Sequence, residues 1–489
     1  MYDYIILGAG YAGLSAAALL AKRGFKTLLL ESHATLGGCA SFFRRKNFTF
    51  DVGATTLSGL LPHQPLGRIF RELQISPALK RLDDAMVISM LNDSSQRVEF
   101  IRNADRESWM ETVATQFGAL GQRKLWEKLY DIERRVWEVT RAAHRLPPRS
   151  IGDVLSLTKP ALIRHAAILP GMFRPFTSLL QQYGLHTNRA FRRFADEQLL
   201  ISTQNTSDYA PVTSAAMGLC YPSETYYPYG GMYAPLHLMQ KSYKQNGGEI
   251  LYRYAVTRIR KNADGYRIHA AAATFDCKGI ISSIPIWNMP ELTDGAMQSY
   301  FGKKAEAFNE SWAAFTLYFA VKQEFPLRSS YYQIHAEQTL PFCSSSSVFV
   351  SFSRDDDTAK APAGYRTVTV STHTLSDQWE SLDAEEYQRR KGIVTEAILS
   401  LLRKAIPGFA DTELLYLDAG TPQTFRHYTQ RYRGYVGGIP HSIKRNLLLL
   451  PPNKTPFNNF YMIGDSVFPG QGTPAVALGA LNVVDRISR

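Results

Sequence analysis

The sequence predicts an α/β protein in which one domain is discontinuous along the chain and the other is mixed α+β. Two observations lead to this prediction. Residues 1–50 read as strand, glycine-rich turn, helix, strand and acid, and the C-terminal end returns to a strand, a glycine-rich turn and a helix. Since parallel strands are joined by long crossovers, we expect the two ends of the chain to meet in one sheet.

The N-terminal turn has the spacing of a dinucleotide-binding loop. The apolar strand Tyr2–Leu7 runs into Gly8, Gly10 and Gly13, and a strong helix-forming stretch, Leu14–Gly24, follows. In such a loop the first glycine permits a tight turn, the second lets the backbone approach a pyrophosphate, and the third lets helix and strand pack closely. The helix N-terminus then presents free N–H groups to the phosphates. A plain glycine-rich turn is the alternative.

The acid after the second strand identifies the kind of dinucleotide. Glu31 ends the predicted strand Phe25–Leu30 and stands 18 residues beyond Gly13. At this spacing a carboxylate accepts both hydroxyls of an unphosphorylated ribose, which argues against NADP. The paired glycines Gly37-Gly38 follow, and the alternation through Phe42–Phe50 predicts a hairpin. A simple NAD dehydrogenase would continue into another βα unit instead.

Composition excludes several protein classes. Of the 489 residues 45% are hydrophobic and 20% charged, which excludes wholesale disorder and collagen-like or disulfide-dense chains. The formal charge of +12 suits a nucleotide or a membrane surface, and we expect no nucleic-acid partner. The cysteines are far apart and form no CxxC pair, so we expect reduced thiols and no metal site. The chain opens directly with a strand and has no apolar run of about 18 residues, so we expect a cytoplasmic protein without a spanning helix.

Residues 154–195 have an unusual composition. They contain no Asp or Glu, and six Lys and Arg residues are interspersed with Leu, Ile and Phe. Pro160, Pro170 and Pro175 cut the segment into short pieces. Short, basic, apolar pieces suit a surface that dips into a lipid interface, so we expect peripheral membrane attachment here. A roof of helices over a substrate cavity is an equal alternative, and both can hold together. Just upstream, residues 109–144 are expected to form one long helical stretch.

The C-terminal end carries a second cofactor signature. The predicted strand Asn459–Ile463 leads into Gly464 and Asp465, and a final helix opens around Thr473 and continues through Val476. If this strand joins the first sheet, Asp465 lies near the polyol chain of a cofactor. The helix N-terminus then aims its dipole at a negative ring edge, as a reduced flavin provides.

These segments, together with Phe50–Gly53 and Tyr227–Met232, resemble the phytoene desaturase-like flavoprotein family, which holds carotenoid desaturases, carotenoid isomerases and retinol saturases. The resemblance implies an FAD cofactor. Binding is expected to be noncovalent, because the last cysteine, Cys343, lies far from the C-terminal signature. The implied cofactor-binding residues are Gly8, Gly10, Gly13, Glu31, Gly38, Val256, Gly464, Asp465, Thr473 and Val476.

The resemblance also implies a division of the chain. A Rossmann-type FAD-binding domain, discontinuous in sequence, is expected from residues 1–75, 225–285 and 441–489. A mixed α+β substrate domain is expected from residues 76–224 and 286–440.

The implied function is FAD-dependent oxidation of a carotenoid or related polyisoprenoid. The preferred reaction is carotenoid desaturation in carotenoid biosynthesis, with quinone or oxygen as the electron acceptor. Isomerisation with reduced FAD is the alternative. It is favoured by Cys39, which stands where many desaturases carry an arginine after the paired glycines. A non-catalytic prenyl-lipid escort protein and a flavin amine oxidase are rivals from other classes. No catalytic residue is identified: His373 and His427 are candidate bases, but lone histidines are more often structural.

Overall fold

The computed structural model describes residues 1–92, 94–142, 146–148, 152–153, 155 and 160–488. The strands are β1 Tyr2–Leu7, β2 Thr27–Glu31, β3 Phe42–Arg45, β4 Phe48–Asp51, β5 Leu79–Arg81, β6 Asp84–Leu91, β7 Arg97–Asn103, β8 Tyr226–Pro228, β9 Glu249–Tyr252, β10 Val256–Lys261, β11 Tyr266–Ala270, β12 Ala273–Ser282, β13 Ala313–Lys322, β14 Tyr331–His335, β15 Ser347–Phe352, β16 Tyr365–Thr374, β17 Leu414–Gly420 and β18 Phe460–Met462. The α-helices are Tyr11–Lys22, Pro65–Leu73, Arg106–Phe117, Gln122–Ala142, Pro160–Ile163, Thr177–Gln182, Arg189–Thr203, Val212–Cys220, Tyr233–Gln245, Met289–Leu292, Gly295–Ala307, Ala384–Ala405, Pro422–Thr429 and Thr473–Ile487.

The first large sheet contains both ends of the chain. Its strands lie in the order β10-β11-β12-β1-β2-β9, and β18 pairs in parallel with β12. Strand β1 is parallel to both β12 and β2, and β2 is parallel to β9, so the carboxyl ends of these strands lie at one edge. The predicted meeting of the two chain ends and the α/β class are therefore confirmed. Helix Tyr11–Lys22 packs against helix Thr473–Ile487 in the core beside this sheet.

The second large sheet is mostly antiparallel, in the order β17-β13-β16-β15-β14-β6-β7. Its single parallel pairing among the described residues joins β14 and β6. Helix Ala384–Ala405 packs against this sheet through Val394, Ile398 and Leu402. A second cluster, which includes the fully buried Trp109 and Trp126, packs near β6 and β7. The division of the chain into domains at residues 75, 224, 285 and 440 stays a prediction.

One predicted helix is interrupted in the structure. The predicted single helical stretch over residues 109–144 is two helices, Arg106–Phe117 and Gln122–Ala142. Gly118 and Gly121 separate them with φ values of +88° and +75°, which belong to the left-handed region. A Cβ at Gly121 would lie 2.0 Å from the carbonyl oxygen of Tyr183, so the chain passes too close there for any other residue. Position 144 lies outside the described residues.

Two other local predictions have clear outcomes. The hairpin is confirmed, since β3 and β4 pair antiparallel with Phe43 opposite Phe50. The segment 154–195 does form short pieces where it is described, including Pro160–Ile163, a 3₁₀ helix over Ala166–Met172, and Thr177–Gln182. Residues 154 and 156–159 lie outside the described residues. Among the described helices, none is both long and apolar enough to span a bilayer.

Candidate functional site

A cavity of about 2710 Å³ is lined by residues from both large sheets. Typical ligand pockets have volumes of about 300–1,000 Å³, so this cavity has room for a dinucleotide and a second large molecule. Nine of the ten predicted cofactor residues line it: Gly8, Gly10, Glu31, Gly38, Val256, Gly464, Asp465, Thr473 and Val476. The structure thus brings together positions that span nearly the whole chain.

The tenth residue, Gly13, lies beneath the cavity wall. A Cβ at Gly13 would lie 1.9 Å from the carbonyl oxygen of Gly8, so only glycine lets helix Tyr11–Lys22 begin this close to β1. Gly8 itself has a φ of +92°, as the tight turn requires. The packing role that the sequence predicts for Gly13 agrees with this arrangement, and its place among the implied cofactor-binding residues stays a prediction.

The glycine loop leaves bare backbone facing the cavity. Gly10 forms an isolated bridge with Gly37, and a Cβ at Gly38 would lie 3.8 Å from the Cα of Gly10. Helix Tyr11–Lys22 starts here with no side-chain cap and no acidic residue in its first turn. Its first N–H groups have no intrahelical acceptors, so the loop is suited to an anion such as a pyrophosphate.

Glu31 ends β2 at the same edge, and its side chain is 7% exposed. One carboxylate oxygen accepts a hydrogen bond from the backbone N–H of Ala9 at 2.7 Å, and the other accepts from the N–H of His33 at 2.8 Å. The hydroxyl of Ser32 also donates to the second oxygen at 3.2 Å, so about one of the roughly four acceptor positions of the carboxylate remains for a ribose hydroxyl. The contact to Ala9 also fixes the carboxylate beside the glycine loop.

The C-terminal signature forms a neighbouring part of the wall, because β18 is parallel to β12, which is parallel to β1. Helix Thr473–Ile487 starts after Gly472, whose φ is +92°, and its first turn has no side-chain cap and no acidic residue. Asp465 forms an ion pair with Arg431 at 2.7 Å. Arg431 also lines the cavity, and the sequence analysis missed it because it lies in an irregular segment with no motif around it.

Away from the glycine loop the cavity has largely apolar walls. We call this part the apolar arm. It is lined by Val136, Val139, Leu146, Leu162, Ile163, Ile168, Leu169, Met172, Met217, Phe349, Leu447 and Leu448. Much of this wall comes from helices Gln122–Ala142 and Val212–Cys220 and from the described part of residues 154–195. The arrangement fits the predicted roof over a substrate cavity.

The titratable groups on the apolar arm are shifted toward their uncharged forms. Burial lowers the pKa of His441 to about 4, and its Nδ1 lies 3.2 Å from the hydroxyl of Ser214. Burial also lowers the pKa of His165, against the opposing effect of the nearby carboxylate of Glu138. Burial raises the pKa of Glu133, although Arg106 opposes this. The arm therefore favours an uncharged ligand.

The two candidate bases from the sequence also line the cavity. Burial lowers the pKa of His373, and its ring meets that of Trp312 edge-on at 6.0 Å. The ring of His427 packs edge-on against Tyr428 at 4.8 Å. Both remain candidates only, and no catalytic residue is assigned. Sequence reasoning missed His441, whose place beside the cavity depends on contacts with Ser214 and Gly470 that have no local signature.

Among the described residues no cluster of His, Cys, Asp and Glu has the arrangement of a metal site. All four cysteines are free. Cys39 lines the cavity, and burial raises the pKa of its thiol. A thiol that resists ionisation is a weak nucleophile, which is consistent with the expected noncovalent binding.

Comparison with known proteins agrees with this site. The family model for flavin containing amine oxidoreductases matches residues 11–488. Prolycopene isomerase 1 of an Oncidium hybrid cultivar is 26% identical over 532 aligned positions, covering 100% of this chain and 84% of its own. The 4,4'-diapolycopene oxygenase of Methylomonas is 25% identical and is covered over 97% of its length. The fold is that of putrescine oxidase bound to putrescine, with a TM-score of 0.65, 13% identity, and 100% and 99% of the two chains covered.

These comparisons confirm the predicted resemblance to phytoene desaturase-like flavoproteins and the Rossmann-type fold. FAD is the cofactor. The chain belongs to the flavin containing amine oxidoreductase family.

Proposed function

We propose that this flavoenzyme acts on a carotenoid or a related polyisoprenoid. The observation that carries the proposal is the apolar arm, which continues from the glycine loop within one cavity of about 2710 Å³. A polyene has almost no polar groups, so it must be positioned by shape and by burial of apolar surface. The carotenoid-acting relatives, which match over nearly the whole chain, support the same substrate class.

In this proposal FAD lies along the wall that holds the predicted cofactor residues. Glu31 would bind the ribose, the backbone around Gly10 and Gly38 would hold the pyrophosphate, and Asp465 would bind the polyol chain. The N-terminus of helix Thr473–Ile487 would face the flavin ring. When bound, FAD supplies the exchange of electrons or hydride with the substrate.

The chain's own residues prepare the other half of the site. The apolar arm keeps water away from the polyene and holds it by contact with Leu, Ile, Val and Met side chains. His441 and His165 are neutral near pH 7, so neither places a full charge against the hydrocarbon. A charged side chain in this arm would cost several kcal/mol because it would lose its hydration.

A matched pair of variants tests whether the polyene binds in the apolar arm. Met172→Arg introduces a cation at a position on the apolar arm that is 7% exposed, whereas Leu120→Arg introduces one at a surface position that is 80% exposed. The arm variant is expected to keep FAD and lose polyene conversion, and the surface variant is expected to keep both. Equal conversion by the two variants would contradict polyene binding in the arm.

Between the two reactions left open by the sequence, we propose cis–trans isomerisation as the first candidate, because prolycopene isomerases match over 100% of the chain. Desaturation, the reaction preferred from the sequence, stays the second candidate. It is favoured by the oxidative relative from Methylomonas, which is aligned over 97% of its own length. In that reading oxygen or a quinone takes up the electrons.

Product mass separates the two candidates. Purified enzyme, reduced with dithionite without oxygen, is given a poly-cis carotene in detergent micelles. An isomerase yields a trans product of unchanged mass and needs no electron acceptor. A desaturase is inactive in this state, and with air or an added quinone it yields a product lighter by two hydrogens per new double bond. Conversion that needs an acceptor and lowers the mass would exclude isomerisation as the reaction.

We also propose that the described part of residues 154–195 rests on a lipid surface. Ile163, Leu169 and Phe173 are 57%, 44% and 54% exposed, and the first two also line the cavity, so the exposed patch continues into the apolar arm. Arg164 and Arg174 are exposed beside them. A substrate dissolved in a bilayer would enter the cavity at this patch.

Vesicle flotation tests the attachment. Binding to phosphatidylcholine vesicles with added phosphatidylglycerol is expected to fall when Arg164, Arg174 and Phe173 are all replaced by serine. A control triple variant on another face, with serine at Arg389, Arg403 and Leu417, should bind like the wild type. Undiminished binding by the first variant would reject this segment as the contact.

A further inference from the structure

Arg431 is a largely buried cation on the cofactor side of the cavity. It follows helix Pro422–Thr429, lines the cavity, and its side chain is 11% exposed. Its Nη2 donates to a carboxylate oxygen of Asp465 at 2.7 Å, and its Nε donates to the carbonyl of Tyr435. A guanidinium has five N–H donors, and these hydrogen bonds to described residues engage two of them.

Arg431 lies close to the position where the sequence lacks a cation. Cys39 follows Gly37-Gly38, and related flavoproteins often carry an arginine there. Burial raises the pKa of the Cys39 thiol, the guanidinium of Arg431 opposes this, and Asp465 adds to it. The thiol is therefore uncharged near pH 7, and Arg431 is near enough to influence it. Helix Pro422–Thr429, which Arg431 follows, packs against the turn Gly38–Ala40, and Gly37 just before that turn meets Gly10.

The charge balance at the cofactor-binding wall of the cavity favours a cation at Arg431. Arg431 and Asp465 together are neutral, while a pyrophosphate brings two negative charges. The helix N-terminus above Gly10 offsets about half an elementary charge. Without Arg431 the carboxylate of Asp465, whose side chain is 16% exposed, would repel the phosphates. A guanidinium also matches the geometry of phosphate oxygens, to which it donates two parallel hydrogen bonds.

We propose that Arg431 binds the pyrophosphate of FAD and supplies from a distant part of the chain the positive charge that is absent at Cys39. This inference rests on the proposed place of FAD along the glycine loop. It does not depend on which polyene the enzyme converts or on which reaction it catalyses.

Binding of FAD and of ADP to the apoprotein tests the proposal, since ADP carries the pyrophosphate without the flavin. Arg431→Gln is expected to raise the Kd for both ligands by roughly 10- to 150-fold, the range for a hydrogen bond to a charged group. Arg431→Lys, which keeps the charge and loses the forked geometry, should give a smaller loss. The control is Arg433→Gln: Arg433 also lines the cavity, but it is paired with Glu380 and Asp377. The FAD affinity of the Arg433→Gln variant should stay within about twofold of wild type.

Two results would overturn the proposal. One is wild-type affinity of Arg431→Gln for FAD. The other is weakened FAD binding with unchanged ADP binding, which would mean that Arg431 acts only on Asp465 or the flavin half. If the glutamine variant does not fold, as judged by circular dichroism of the apoprotein, Arg431→Lys decides: unchanged Kd values for both ligands reject the contact. An enzyme that needs Arg431 for FAD but converts no polyene would refute the proposed function and leave this inference intact.

Discussion

Replacement of Glu31 by alanine should affect both the apoprotein and its affinity for FAD. In the structure its carboxylate accepts the backbone N–H groups of Ala9 and His33 at 2.7 and 2.8 Å. The Ala9 contact is buried, so its N–H loses its charged acceptor. A buried donor left unpaired costs about 1–3 kcal/mol, and we expect the apoprotein to lose that much stability.

The loss of the ribose contacts adds to this effect. Charge-assisted hydrogen bonds contribute about 1.5–3 kcal/mol, so Glu31→Ala should weaken FAD binding by roughly 10- to 150-fold. The assays are urea unfolding of the flavin-free protein followed by circular dichroism, and titration of the same protein with FAD. The matched control is Glu249→Ala on the neighbouring strand β9, where the carboxylate accepts from the hydroxyl of Tyr2 in an exposed position.

The two readouts refute different parts of the reasoning. Undiminished FAD affinity in Glu31→Ala would show that the ribose does not lie at the end of β2. Unchanged stability of the apoprotein would contradict the contact between Glu31 and the glycine loop. Glu249→Ala is expected to change stability by less than about 0.5 kcal/mol and to leave FAD affinity unchanged, since surface substitutions rarely do more.

Three further predictions follow from packing and charge. Gly13→Ala should destabilise the protein by about 1–3 kcal/mol in urea unfolding, because its Cβ would lie 1.9 Å from a backbone oxygen, whereas Gly302→Ala, with open space around it, should not destabilise. Lys360→Met should cost about 3–5 kcal/mol, because the buried carboxylate of Asp51 loses its counter-ion at 2.6 Å and keeps only the hydrogen bond from the backbone N–H of Met232; adding Asp51→Asn should recover part of the loss. Burial lowers the pKa of His441 from its usual 6.5 to about 4 in the folded protein. Its contribution to the free energy of unfolding is therefore fully present above pH 6.5 and is lost as the pH falls toward 4. Between pH 7.5 and 5 the free energy of unfolding should therefore fall by about 2 kcal/mol less in His441→Phe than in the wild type. An equal fall in the two proteins would contradict the burial of His441.

The sequence by itself determined the elements whose signals are local. The order of strand, glycine turn, helix and strand at the N-terminus depends on residues close together in the chain, and so does the hairpin of β3 and β4. Glycine spacing at Gly8, Gly10 and Gly13 is informative because the backbone conformation and close approach it permits are unavailable to other residues. The same holds for the turn and helix that follow β18, and for the resemblance that identified the flavin.

Only the tertiary structure decided which distant residues meet. Arg431 lies beside Cys39 and Asp465, and His441 lies beside Ser214, although nothing in the sequence around either residue marks it. The break after Phe117 was missed because the close approach of Gly121 to Tyr183 joins two separate segments. Such contacts depend on how sheets and helices pack, and packing fills space without a fixed sequence period. The sequence could therefore predict the cofactor loop, but the cation near Cys39 became visible only in the fold.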